Sequence, residues 1–289
     1  MDIEEVDPRD YDLAFSALPY SIAKIQEAVF ARFIPVISTA SAYRYEPDVP
    51  ILLPDVNPEH LSILDAQRKN RGWEGFIVPG PNCTTVGLAA TLKPLNDTYD
   101  VKKVCMVSMQ SLSGAGAKGL IASSPYRRSV VKNVLPFIEG EEDKVALETN
   151  KILGSIEKRR FVDAGIKVHS TCTRVFVEKV HTEAVHLATE APNSVDEAKD
   201  LLTRYRSEVQ RLKLPSAAEQ PLIVVEGEDM PQPLRHCDYP AMVTLVGRIR
   251  ENNVFRNGLS YILTSNNLEK GAGGGAVLSA EYLHAIKYL

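Results

Sequence analysis

A chain of 289 residues with 44% hydrophobic and 24% charged side chains is long enough to bury one large core or two smaller ones. Its net charge of −4 and pI near 5.9 exclude the basic footprint of a nucleic-acid or anionic-membrane binder. No apolar run approaches the roughly 20 residues of a membrane span, and the acidic opening MDIEEVDPRDYD carries no apolar h-region, so a cytoplasmic protein is expected.

In chain order, YDLAFSAL is a short apolar run, and SIAKIQEAVFARF has helical spacing with Ile22, Ile25, Ala28 and Val29 on one face. IPVISTA reads as a buried strand, and the series suggests a parallel βαβ unit. VPILLP predicts another strand, followed by a helix opened by Asn57-Pro58. GFIV is a further strand, then a Pro/Gly turn, then a helix from about Thr84 to Leu92. KVCMVSMQSLSG reads as a strand and SGAGAKGLIASSP as a loop of small residues. EGEEDKVALETNKILGS is a strong helix with acidic residues in its first turn. Residues 167–189 predict strands, 194–212 one amphipathic helix, and 242–267 two strands joined by a polar hairpin. GAGGGAVLSAEYLHAIKYL is a Gly-rich turn followed by a closing helix. The pattern is an α/β part followed by an α+β part, without internal repeats.

One cysteine stands apart from the other three. Cys83 sits in the turn VPGPNCTT, between an apolar strand and a helix start. There a helix N-terminus lowers a thiol's pKa and a cleft exposes it. Cys105, Cys172 and Cys237 read as core residues, and no CxxC spacing is present. Free thiols fit a reducing compartment. His169, His186 and His236 show no metal-ligand spacing, so no metal site is expected.

DLAFSAL, YRYEPDVPILLPDVNPEHL, PNCTT, MQSLSGAG, NVLPFIEGEEDK…ETNKILGS, TCTRVFV…H and NLEKGAGGGAVLSAEYL follow one another. Together they resemble the aspartate-semialdehyde dehydrogenase family in its archaeal and fungal form, from about Tyr11 to Leu289. The resemblance implies a truncated Rossmann-like parallel sheet domain at 1–95, completed by a closing helix at 268–289. An α+β substrate and dimerisation domain at 96–267 follows, and a homodimer is expected. It further implies that Cys83 is the nucleophile, Gln110 positions the acyl-enzyme, and His181 is the acid/base. Arg174 would grip a carboxylate, Glu142 would bind substrate, and Lys144 and Arg44 would bind phosphate. The chemistry is coherent on its own terms. A thioester intermediate needs a low-pKa thiol with a base nearby, and a dianionic substrate needs two separate cationic clamps. Asn82 and helix-start N–H groups could hold an oxyanion.

The chain departs from that pattern in two ways. The family's Gly-rich GxxGxxG turn, which cradles the NADP phosphates, has no counterpart before residue 70, and the first glycine is Gly72. The family's pocket residues are also replaced, with Phe176, Lys179 and Val180 before His181, and Pro79-Gly80-Pro81 before Asn82. Ser265-Asn266-Asn267 stands near the C-terminus and Ala117-Lys118-Gly119-Leu120 after SGAG. These departures lead to the expectation of a repurposed enzyme without a nicotinamide cofactor. It would catalyse a redox-neutral cyclisation, isomerisation or acyl transfer in specialised metabolism, on a small molecule held in a cavity flanked by Phe176 and Val180. An NADP-dependent aspartate-semialdehyde dehydrogenase is the alternative, and a non-catalytic partner of a full-length homologue a third.

Overall fold

The computed structural model describes residues 3–289. A small parallel sheet comes first, built from β1 (Ala14–Ser16), α1 (Tyr20–Ala31), β2 (Val36–Ser38), α2 (Leu64–Arg71) and β3 (Ile77–Pro79). The strands lie in the order β1-β2-β3, with Phe15 opposite Ile37 and Ile37 opposite Val78. Two glycines make the entry to β3 possible. Gly72 caps α2 at φ +65°, and a Cβ on Gly75 would lie 2.1 Å from the Ile34 carbonyl oxygen. Glu27 on α1 ties the ends of β1 and β2 together, because its Oε1 accepts hydrogen bonds from the Ser16 and Ser38 hydroxyls. Burial raises the Glu27 pKa.

Two expectations change here. The helix at α1 forms, but it buries Ala23, Glu27 and Ala31, while Ile22, Ile25 and Val29 face outward. Residues 49–53 are buried but form no strand. Leu52 donates one backbone hydrogen bond to Pro79, and Pro50 and Pro54 lack the N–H groups that a ladder needs.

The chain then enters α3 (Cys83–Tyr99), which is longer than predicted because Pro94 is accommodated inside it. Next come β4 (Val101–Gln110), a 3-10 turn at Leu112–Ala115, α4 (Ala117–Leu120), α5 (Pro125–Val130) and α6 (Glu141–Ile152). A short hairpin of β5 (Ser155–Glu157) and β6 (Arg160–Val162) leads to β7 (Lys167–Arg174) and β8 (His181–Thr189). After α7 (Val195–Arg204), α8 (Glu208–Leu212) and β9 (Leu222–Val224), a hairpin of β10 (Thr244–Glu251) and β11 (Gly258–Ser265) precedes α9 (Gly273–Ala285). The helix predicted over 194–212 breaks in two because Ser207 forms a capping box with Gln210. Six strands form the large mixed sheet in the order β7-β4-β8-β11-β10-β9.

The fold is therefore a Rossmann-like α/β part followed by an α+β part. Helix α3 covers one face of the large sheet, where Leu88, Leu92 and Leu95 pack with Met106, Val185, Tyr261 and Leu263. Each such side chain contributes about 1.5–3 kcal/mol by leaving water. Helix α9 returns to the small sheet, where Leu278, Tyr282 and Leu283 pack with Ile37, Leu52, Phe76 and Val78.

Candidate active site

The strand β3 ends at Pro79, and the turn Gly80-Pro81-Asn82 delivers Cys83 as the first residue of α3. Asn82 is the cap, and its Oδ1 accepts the Thr84 N–H at 2.8 Å. Across from it, strand register aligns one polar row on the large sheet. Arg174 lies opposite Gln110, and His181 opposite Ser265. Cys83 Sγ is 3.3 Å from His181 Nε2. A cavity of about 270 Å³ opens beside this pair, lined among others by Asn82, Cys83, Gln110, Glu141 and Arg174. Gly114 forms part of its wall, and a Cβ there would lie 2.6 Å from Arg174 Nη1 and 2.8 Å from His181 Cε1.

The backbone fixes the imidazole. The Ser111 N–H donates to His181 Nδ1 at 3.1 Å, so Nδ1 is an acceptor and the hydrogen of the neutral ring sits on Nε2, aimed at sulfur. Ser111 and Ser113 hydroxyls both donate to Asn267 Oδ1, which also accepts the Val180 N–H at 3.1 Å. That last bond steadies Val180 at φ +72°, a left-handed conformation costly for a β-branched residue. Burial, aided by the charge of Arg174, lowers the His181 pKa to about 3. Burial also pushes the Cys83 thiol up to about 12, with Glu141 adding to it and Arg44 and Arg174 opposing it. The expected lowering of the thiol by the helix N-terminus is thus outweighed. The resting pair is a neutral thiol beside a neutral imidazole.

Other site residues fall in less expected places. Glu142 does not line the cavity, and its Oε1 accepts the Cys172 N–H at 3.0 Å. Glu141 lines it instead, taking hydrogen bonds from Asn82 Nδ2 and from Lys144 Nζ at 3.1 Å. Arg44 is only 5% exposed, and its two amines go to Glu148 and to the Thr39 carbonyl. Arg174 Nη1 donates to the Ser111 carbonyl at 2.6 Å. Neither Phe176 nor Val180 lines the cavity, because Val180 is buried and Phe176 lies exposed beneath Arg127. Cys237, expected in the core, is exposed. Sequence reasoning missed Ser111 and Tyr126, took Asn267 only as a replaced position, and carried the substrate role to Glu142 rather than to its neighbour Glu141. The i,i+3 spacing of Glu141 and Lys144 was the available signal for the last.

Comparison with known proteins gives this geometry a family. Residues 92–270 match the family model of the semialdehyde dehydrogenase dimerisation domain, and residues 1–64 that of the semialdehyde dehydrogenase NAD binding domain. The chain is 45% identical to an aspartate-semialdehyde dehydrogenase of Archaeoglobus fulgidus, over 98% of this chain and 80% of the relative. It is 40% identical to that of Methanothermobacter thermautotrophicus, over 99% and 82%. Identity to a malonyl CoA reductase (NADP) of Metallosphaera sedula is 33%, over 98% and 80%. The crystal structure of aspartate semialdehyde dehydrogenase with NADP from Candida albicans superposes with a TM-score of 0.86 at 33% identity, covering 96% of this chain and 79% of that one. The α/β plus α+β fold and the thiol–imidazole pair are those of an enzyme. The chain belongs to the semialdehyde dehydrogenase family.

These relatives overturn the expectation of a cofactor-free, redox-neutral cyclase or isomerase of specialised metabolism. The segment expected to have lost nicotinamide binding matches an NAD binding domain, and a similar structure carries NADP. The physical reason lies in which end of a dinucleotide the glycines serve. A Gly-rich turn holds the pyrophosphate, and among the described residues none precedes Gly72. A second group of small residues lies beside the sulfur. Ser38, Thr39 and Gly80 at two strand ends face Gly271 and Gly275 around the start of α9. A Cβ on Gly271 would lie 2.9 Å from Cys83 Cβ. Without side chains there, the strand ends stay bare next to the thiol, across a narrow cleft of about 20 Å³.

Proposed function

We propose that the chain is an NADP-dependent aspartate-semialdehyde dehydrogenase, interconverting an acyl phosphate and an aldehyde through a thioester on Cys83. The single observation that carries this reading is the Cys83 Sγ–His181 Nε2 contact of 3.3 Å beside the Arg174-lined cavity. Similarity to two archaeal enzymes of that name supports the substrate.

In this reading the Cys83 thiolate attacks the acyl carbonyl, phosphate leaves, and a thioester forms. The unliganded site disfavours the thiolate, so the thiol gives its proton to solvent through the open cavity as the Nε2–H of His181 and the positive charges of Arg174 and Arg44 hold the sulfur anion. The Cys83 N–H at the α3 N-terminus receives the oxyanion. When bound, the reduced nicotinamide supplies the hydride that takes the thioester to the aldehyde level. Collapse then releases aldehyde and returns the thiolate to its Nε2–H donor. His181 acts as a hydrogen-bond donor throughout, because the Ser111 N–H keeps Nδ1 from carrying a proton. Ser38, Thr39, Gly80 and the Gly271–Gly275 turn would hold the nicotinamide end. Arg174 holds the substrate carboxylate, and Gln110 and Glu141 position the rest.

The second part would pair with a second copy of itself, as the dimerisation family model suggests. The outer face of the large sheet leaves Val107 on β4 exposed and Cys105 half-buried for that contact. No described helix is long and apolar enough to cross a membrane. The cytoplasm suits its free thiols.

The purified chain should reduce NADP when given aspartate semialdehyde and phosphate, and Cys83→Ser should abolish this. A folded, dimeric protein that shows no phosphate-dependent turnover would overturn the reading. Turnover of a CoA thioester instead would move it toward the Metallosphaera relative.

A further inference from the structure

Two departures from the family's pattern, Lys118 after SGAG and Phe176 before His181, converge on the short helix α5. The Lys118 ammonium lies 4.7 Å from the centroid of the Tyr126 ring. The Phe176 ring lies beneath the guanidinium of the next residue, Arg127, at 5.4 Å. Each ring holds its cation through the negative potential of its π face. Arg127 also pairs with Glu178 and donates to the Gly119 carbonyl at 3.2 Å. That carbonyl belongs to a turn with no freedom, since a Cβ on Gly119 would lie 2.0 Å from the Leu112 carbonyl oxygen. These contacts fix Tyr126 as a wall of the cavity that holds Cys83.

The Tyr126 hydroxyl changes what Arg174 can offer a ligand. Its oxygen accepts from Arg174 Nε at 3.3 Å, while Arg174 Nη1 donates to the Ser111 carbonyl at 2.6 Å. Arg174 is buried and held at both nitrogens, so it cannot swing. Nε and Nη2 share the edge of a guanidinium that grips a carboxylate side-on with two parallel bonds. Here the tyrosine oxygen occupies Nε, and that pair is no longer available. Among the described residues, Nη2 and the Tyr126 O–H donate to no group. A carboxylate reaching this corner therefore finds one N–H donor and, in place of Nε–H, a phenolic O–H donor on a rigid ring.

We propose that Tyr126 is a substrate-binding residue that selects for a carboxylate at the far end of the substrate. Its O–H takes one carboxylate oxygen and Arg174 Nη2 takes the other. The proposal rests on the dehydrogenase reading for the aldehyde end of the substrate, whereas recognition of a dicarboxylate does not depend on it. Selection follows from the cost of unpaired donors. A chain of the same length that ends in a methyl group leaves both of them without a partner in a site that has shed its water.

Protection of Cys83 from iodoacetamide, followed by mass spectrometry of its peptide, reads binding without turnover, with succinate as the probe. Succinate should protect the native protein. Tyr126→Phe keeps the ring and loses the O–H, and should raise the half-protecting concentration about tenfold. Equal protection of native and Tyr126→Phe protein, or no protection of the native protein, would overturn the proposal. So would faster alkylation of the variant without succinate, which would mean that Tyr126 only packs the site. In turnover, Tyr126→Phe should raise the KM for aspartate semialdehyde with kcat little changed, and leave kcat/KM for butyraldehyde, which has no carboxylate, at the native value. A residue that only supports the structure would lower both aldehydes alike, and that result would also overturn the assignment. Succinate protection that depends on Tyr126, in a protein that turns over no aldehyde, would sink the dehydrogenase reading while leaving Tyr126 in place.

Discussion

The two sheets of this molecule are built to different standards. The small parallel sheet has three strands of three residues each, and the helix over it turns Tyr20, Ile22, Ile25 and Val29 to the outside. The large sheet pairs strands of eight to ten residues at its centre and buries a continuous core under α3. The site draws its sulfur from the seam between them and most of its positioning from the large sheet. Reactive geometry here belongs to the part with the longer strands and the larger core, and the small sheet contributes the turn that carries the sulfur.

That contrast can be broken or sharpened by substitution. The largest effect expected is on chemistry at the seam. Cys83→Ser should cut dehydrogenase turnover more than about a thousandfold while leaving the melting temperature nearly unchanged. Next comes the core of the large sheet. Leu88→Ala, fully buried on α3, should destabilise the protein by about 2–5 kcal/mol in denaturant titrations. A smaller, pH-dependent effect belongs to Glu183 on β8, whose two carboxylate oxygens are fully buried without partners among the described residues. Burial raises its pKa well above 4.5. The neutral acid therefore favours folding fully below its unfolded pKa, and that contribution is lost as pH rises toward the folded value. Glu183→Gln should flatten the dependence of melting temperature on pH between about 5 and 8 and raise stability at the upper end. The smallest effect belongs to the small sheet. Ile25→Gln, on the outer face of α1, should change stability by less than about 0.5 kcal/mol. A loss as large as that of Leu88→Ala would mean that this face is covered in solution.

Much of this was legible in the residues. The strands β4, β7, β8, β10 and β11 follow their apolar alternation, and the turn before Cys83 marked the thiol. What was not legible came from tertiary context. The face of α1 was misassigned because periodicity identifies an apolar stripe without saying whether anything packs on it. Glu141 and Glu142 are adjacent carboxylates, and only the helix rotation of α6 decides which one enters the cavity. The missing Gly-rich turn was overweighted, because it reports on one end of a long cofactor, while residues 1–64 still match an NAD binding domain. The tautomer of His181 depends on the Ser111 backbone N–H, a group no side-chain motif records.

One carboxylate deserves to be followed outward. Glu148 on α6 accepts from Arg44 and Tyr45 through one oxygen and from the Asn82 N–H through the other. It sits at a three-way junction of the loop after β2, the cysteine turn and a helix of the larger part. The thiol is thereby surveyed from a fixed benchmark on α6, outside the small sheet. Changes in β1 or α1 that leave this junction whole would keep the sulfur aimed at the same imidazole.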